Sequence, residues 1–291
     1  MAAASFDLSQ RTLTRGRRVK NRLATAAVWL AVLVALIPLV LVLWYVVKKG
    51  AGVINGDFFT KEIPNFRTIG SGMGPAVFGT LIITAAATLI SVPLGVLAAI
   101  YLNEFGANNK LASLLRLLSD VMAGVPSIVM GLFIYTVWVL RYKQSGFAGA
   151  LALACLMLPI VIRTTEAMLK LVSRDLREAS YALGTRKSRT ILTVVVPAAL
   201  PGIISGCLLA VARAAGETAP LLFTIGGIQG FNRSLFGPNT ALSVQIFVNA
   251  QQPFPAAQAR AWGAALTLIG LVLVLSIVAR VVSARFAVRE R

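Results

Sequence analysis

Residues 24–47 read ATAAVWLAVLVALIPLVLVLWYVV, an unbroken stretch without a charge. An α-helix needs about 20 apolar residues to cross the hydrocarbon of a bilayer, and a helix that is apolar on every side belongs in lipid or in a very large core. Six basic residues precede the stretch: Arg11, Arg15, Arg17, Arg18, Lys20 and Arg22. That order also opens a secretory signal. The apolar run, however, is about twice as long as a signal's, and no small-residue cleavage site closes it, so it is expected to stay as a first membrane helix.

Working outward, segments 76–102, 117–140, 147–168 and 260–281 are also long and apolar enough to span. A sixth, 192–213, is just long enough. Its Pro197, Pro201, Gly202 and Gly206 are tolerated in a helix bundle, where neighbouring helices re-satisfy freed backbone groups and small residues permit close packing. The stretch Pro220–Ile228 is too short to span and is bounded by Gly226 and Gly227, so it reads as a re-entrant or partial turn. The fold class expected is an all-α membrane protein with six transmembrane helices, in one domain. Its parts are a basic tail over 1–23, the first span at 24–47, the remaining spans within 76–282, and a second tail over 283–291.

The net charge of +18 comes from 28 Lys and Arg against 10 Asp and Glu. A strongly basic chain can bind nucleic acid, but most of these cations sit in short segments beside apolar runs, where the positive-inside rule places them. With the N-terminus inside, 19 fall on the cytoplasmic side and 8 outside, Arg260 among the latter, and Arg213 lies within a span. Both termini are therefore expected in the cytoplasm. Cys155 and Cys207 lie far apart in apolar stretches, which excludes a metal-ligand spacing or a disulfide framework and leaves packing. Without histidine or paired acids, covalent catalysis is not expected. The outer segment from Phe231 to Pro255 is polar and turn-rich, which suits a loop.

The cytoplasmic segment 163–189 mixes charge with helical spacing: Leu169, Leu176, Ala179 and Leu183 recur along one face. Gly184 is placed to end such a helix, with Arg186, Lys187 and Arg189 just beyond, near the negative end of its dipole. Small Ala179 and Ala182 allow another protein to approach closely. The plain alternative is an ordinary positive-inside loop. The order Glu178-Ala179-Ser180, then Gly184, then Val194, Val196 and Pro197 resembles the EAA motif of ATP-binding-cassette (ABC) importer permeases. There the pattern is Glu-Ala-Ala, three residues, Gly, nine residues, aliphatic-x-aliphatic-Pro, and the spacing matches throughout. Ser180 departs from the second Ala, and Val replaces the usual Ile and Leu. The resemblance implies a type I importer fold whose coupling helix, near 174–185, docks on an ATPase through Glu178, Ala179, Ser180 and Gly184. No Gly-x-x-x-x-Gly-Lys-Ser/Thr occurs in the chain, so ATP is expected to be bound and hydrolysed, with Mg2+, on a separate subunit. No cofactor is expected in this chain.

A second informative stretch runs Ala212-Arg213-Ala214-Ala215-Gly216-Glu217-Thr218-Ala219-Pro220-Leu221-Leu222. An arginine at the end of an apolar helix is costly unless paired, hydrated or functional. If the helix persists, Glu217 shares its face, and the two charges can simply neutralise each other. Alternatively, the guanidinium fork is offered to an oxyanion in a translocation path. The stretch closely resembles the signature of phosphate-specific transport permeases, Ala-Arg-x-x-Gly-Glu-Thr-Ala-Pro-Leu-Leu, and its ending resembles the A-type member. Supporting runs are Gly124-Val125-Pro126-Ser127-Ile128-Val129, then Gly131-Leu132-Phe133, and Leu158-Pro159 followed by Val161-Ile162-Arg163-Thr164-Thr165-Glu166.

The resemblance implies a heterodimer with a C-type permease, a homodimeric ATPase and an extracytoplasmic phosphate-binding protein, in a bacterial inner membrane. On that reading Arg213 attracts the anion, and Glu217 accepts a hydrogen bond from a protonated phosphate oxygen, which sulfate lacks. Thr218 belongs to the same run. Arg163 and Glu166 repeat the opposite-charge spacing near the inner end of the fourth span and either line the exit or form a surface ion pair. Ser127 offers a hydroxyl to the path or bonds back to its own helix, and Asp120 reads as a helix N-cap. Competing readings keep the architecture with sulfate or molybdate as cargo, or turn to an ion-gradient transporter or a membrane scaffold. The coupling motif has no role in the second, and the charged Arg213 and Glu217 fit the third poorly. The basic tail serves topology or contacts anionic lipid.

Overall fold

The computed structural model describes residues 15–106 and 109–286. Most of the first tail (1–14) and the end of the last (287–291) lie outside them. Helix α1, Arg15–Gly50, is one 36-residue helix carrying Pro38 inside it. At 1.5 Å per residue it is about 54 Å long, more than the ~30 Å hydrocarbon requires. It begins well before the apolar run because the Arg and Lys of the tail are themselves good helix formers. Most of its apolar side chains, Trp29 and Trp44 among them, are exposed.

Residues 49 onward form a separate bundle. Its helices are α2 (Gly56–Thr60), α3 (Gly74–Glu104), α4 (Lys110–Gly124), α5 (Ser127–Tyr142), α6 (Gly146–Leu171), α7 (Arg174–Ala182), α8 (Lys187–Ala215), α9 (Ala219–Thr224), α10 (Leu242–Ala250) and α11 (Pro255–Phe286). Among the described residues there is no strand, only an isolated bridge between Gly226 and Asn239. Among the described residues, five helices are long and apolar enough to cross a membrane, and a sixth span results if α4 and α5 count as one.

α3 lies along α6 in the most extensive pairing, and α8 packs on both α6 and α11. The core between them holds Ile83, Leu153, Met157, Val161, Val195 and Ile203. Glycines seat these contacts: Gly202 lies under Met168, Gly206 under Thr164, and Gly95 under Val161. At Gly79 the neighbour is rigid, because a Cβ there would overlap the Thr240 carbonyl and the Asn239 side chain. Gly79→Val is therefore expected to destabilise the bundle by about 1–3 kcal/mol, seen as earlier thermal aggregation in detergent. Wild-type stability would show that this approach is not tight.

The segment 117–140, read as one span, is two helices bent by 106°. Pro126 lacks an N–H and holds Val125 in an extended conformation, φ −70° and ψ 128°, so the helix stops at Gly124 and restarts at Ser127. Asp120 is consequently inside α4 rather than at an N-cap; Asn109 caps that helix, accepting from the Leu111 N–H at 3.0 Å. The outer segment 231–255 is not all loop either, since it contains α10, whose polar residues are buried and bonded among themselves. Gln245 Nε2 donates to Thr240 Oγ1, and Asn249 Nδ2 donates to Gln245 Oε1, at 2.9 and 2.8 Å. The Pro220–Ile228 stretch forms the short α9, closed by Gly226 and Gly227 at φ +89° and +67°. Two wider π-type turns interrupt the long helices, Tyr135–Val139 in α5 and Ile191–Val195 in α8.

Candidate functional site

The break between α4 and α5 leaves a cavity of about 270 Å³, lined by Val125, Pro126, Ser127, Pro159, Arg213 and Glu217 among others. A single water needs about 15 Å³, so the space admits a polyatomic ion with water. Arg213 comes from the last turn of α8, which ends at Gly216, and Glu217 follows the helix instead of continuing it. The two charges still meet: Arg213 Nε lies 3.7 Å from Glu217 Oε1, an ion pair longer than a hydrogen bond. The Glu217 backbone is fixed, its N–H bonded to the Ala214 carbonyl and its carbonyl accepting from Ser243 Oγ at 2.8 Å. The Arg213 side chain is 70% exposed and Glu217 20%, so the guanidinium keeps most of its donors available. Ser127, the first residue of α5, faces the same space.

The other proposed path residues are elsewhere. Thr218 caps α9 through its carbonyl, which accepts from the Leu221 and Leu222 N–H groups at 3.1 and 3.2 Å, and it does not line the cavity. Arg163 and Glu166 do not pair with each other. Arg163 bonds Asp120, while Glu166 takes Arg116 at 3.1 Å and Lys170 at 2.9 Å. With Leu102 and Ser119 these groups surround a smaller cavity of about 120 Å³. Their spacing along α6 suggested a local pair, but the partners arrive from α4 and the next turn.

In the segment between α6 and α8, Ser173 caps α7 by accepting from the Leu176 N–H, and Gly184 adopts φ +77°, the left-handed conformation that ends the helix. Glu178 and Ala179 are exposed, as are the apolar Leu176, Tyr181 and Leu183, the last at 85%. Ser180 is buried and occupied. Its hydroxyl lies 2.6 Å from Thr185 Oγ1 and 2.9 Å from Thr190 Oγ1, fastening the turn to the start of α8. What looked like a loose departure from Ala is a three-hydroxyl cluster. Sequence reasoning also missed Glu104, bonded to Arg177 at 2.5 Å, whose only signal was an acid closing an apolar run. It missed Arg260 too, counted as an outer charge but fully buried in α11.

A helical membrane bundle with an exposed, capped inter-helix segment and a cavity holding an arginine defines a transport permease. Residues 91–288 match the family described as "Binding-protein-dependent transport system inner membrane component", so the chain is a multi-pass inner-membrane permease, of a class that works with an ATPase and a substrate-binding protein. The fold is shared with a bacterial alginate ABC transporter, at TM-score 0.67 and 14% identity over 94% of this chain and 98% of that one. It is shared also with the inward-facing MetNI methionine ABC transporter, at TM-score 0.57 and 19% identity over 73% and 93%. "Phosphate transport system permease protein PstA 1" of Mycobacterium tuberculosis is 42% identical over 287 residues, 97% of this chain and 93% of its own length. PstA of Yersinia pestis is 44% identical over 283 residues, 97% and 96% of the two chains. The chain belongs to the PstA family of permeases.

Proposed function

We propose that this chain is the permease subunit of an ATP-driven importer of inorganic phosphate, forming half of the translocation path. The observation that carries the reading is the cavity at the α4–α5 break. Residues that coincide with the phosphate-permease signature, Arg213 and Glu217, line it together, with the guanidinium largely unengaged. Arg213 supplies charge and a planar donor fork suited to an oxyanion; Glu217 accepts from a protonated phosphate oxygen; Ser127 adds a hydroxyl. The exposed apolar residues and Glu178 of α7 dock on a homodimeric ATPase that holds ATP and Mg2+, because this chain lacks a phosphate-cradling loop. A C-type permease completes the path, and an extracytoplasmic phosphate-binding protein delivers the cargo. The charge asymmetry favours both termini in the cytoplasm.

The test is ATP-dependent uptake in proteoliposomes holding the full complex. Phosphate accumulation that excess sulfate or molybdate fails to suppress is the expected result, and accumulation of sulfate at the same rate would remove the cargo assignment. Glu217→Gln is expected to narrow the preference for phosphate over sulfate by about tenfold or more, because the carboxylate only accepts and so rejects an unprotonated oxyanion, whereas the amide also offers N–H donors that serve sulfate. Unchanged selectivity in that variant would take Glu217 out of the recognition step.

A further inference from the structure

Glu104 sits where a helix's own electrostatics disfavour it. It is the last residue of α3, at the negative end of the dipole, and its side chain is only 4% exposed. Cations gather around it. Arg177 Nη1 donates to Glu104 Oε1, which also accepts from Asn103 Nδ2 at 2.8 Å. Lys187 Nζ donates to the Glu104 carbonyl and lies 4.6 Å over the Phe105 ring, and Arg116 Nη2 donates to the Leu102 carbonyl at 2.7 Å.

Arg177 is the residue before Glu178 in α7, and Lys187 is the first of α8. Both ends of the segment between them are thus fastened to the inner end of α3. The other branch of Arg177 reaches α6, donating to the Leu169 carbonyl at 3.0 Å. α3 lies along α6, and α6 and α8 line the cavity that holds Arg213. A segment that only presented a docking surface would need no more than its caps at Ser173 and Gly184. A buried ion pair adds little net stability, and in some proteins what it supplies instead is the choice of one geometry over others.

We propose that Glu104 is a positioning residue for transport. It ties α7 to α3, so that displacement of α7 by the ATPase reaches the helices around the cavity instead of being absorbed in the loop. This rests on the reading of 174–185 as the coupling segment, and two variants separate the ideas. In proteoliposomes holding the full complex, the quantity read is phosphate imported per ATP hydrolysed. Glu104→Gln is expected to lower it about tenfold while hydrolysis continues; Arg177→Gln does the same and Arg177→Lys stays near wild type.

An unchanged ratio in Glu104→Gln overturns the proposal. So does failure of every variant of the pair to assemble, because Glu104 would then serve folding alone. Leu183→Asp, at the exposed residue just past α7, is expected to release the ATPase during size-exclusion chromatography. A retained and fully coupled ATPase in that variant overturns the coupling reading and the tie with it, whereas release there with an unchanged ratio in Glu104→Gln removes the tie only.

Discussion

Arg213→Ala is expected to lower ATP-dependent phosphate uptake about 10- to 100-fold with the ATPase still bound. A hydrogen bond to a charged group contributes about 1.5–3 kcal/mol, and each 1.4 kcal/mol is a factor of ten. Nothing else on the cavity wall replaces the fork: Glu217 repels an anion, and Ser127 offers a single hydroxyl. The fold should survive the change, because the side chain is 70% exposed and its ion pair is 3.7 Å long, a contact of the kind that contributes under about 1 kcal/mol. Arg213→Lys keeps the charge without the planar donor pair and should fall between. Unimpaired uptake in Arg213→Ala would reduce the residue to the neutralising partner of Glu217 and leave the cargo resting on family membership.

Another arginine set into a long apolar helix behaves in the opposite way. Arg260 is 0% exposed, and no acid among the described residues neutralises it. Its Nη1 donates to the Thr68 and Gly70 carbonyls at 2.9 and 3.1 Å, and its Nη2 to the Asn65 carbonyl at 3.2 Å. The guanidinium thereby closes the loop between α2 and α3 onto the start of α11. Removing it takes the side-chain donor from the Thr68 and Gly70 carbonyls, while the Asn65 carbonyl keeps the Thr68 N–H at 3.0 Å; these residues are exposed, so the loss is that of charge-assisted bonds, about 1.5–3 kcal/mol. Arg260→Met, which keeps much of the stem volume, is expected to cost about 1.5–3 kcal/mol, an appreciable share of the 5–15 kcal/mol that holds a typical domain. Limited proteolysis should then cut within 65–70, and the melting temperature in detergent should drop. Wild-type resistance and melting would show that the Thr68 and Gly70 carbonyls find other donors. The two arginines make a controlled pair, one expected to lose transport without folding and the other folding before transport.

The sequence disclosed the membrane class because uniform apolarity over about twenty residues suits little besides the interior of a bilayer. It disclosed the short helix α7 because Gly184 ends it locally. Tertiary geometry was less accessible. Pro38, Pro93 and Pro159 ride inside helices while Pro126 breaks one, and residue type alone does not tell the two cases apart. α10 was hidden because Gln245 and Asn249 look like loop residues until their bonds to each other are seen. Arg163 and Glu166 looked paired on spacing alone, yet Asp120, Arg116 and Lys170 compete for them, two of the three from another helix. Of the cavity, Arg213, Glu217 and Ser127 were accessible as residue types in a telling order, whereas the void itself needs the bend at Pro126. Arg260 could not be told from a loop charge, since its partners are carbonyls, which every residue carries.

The wide turn at Ile191–Val195 sets a phase. Each α-helical residue advances about 100° around the axis, and a π-type turn takes up one residue more than an α turn does. With its inner end fastened by the Ser180, Thr185 and Thr190 hydroxyls, α8 reaches Arg213 lagging by that angle. A regular helix of the same sequence would aim the guanidinium about 100° away from the cavity. The compass bearing of the charge is thus written well upstream of it: inserting or deleting a residue in the regular stretch after that turn would re-aim the site by about 100°, whereas deleting the turn's extra residue would straighten the helix and leave the bearing unchanged.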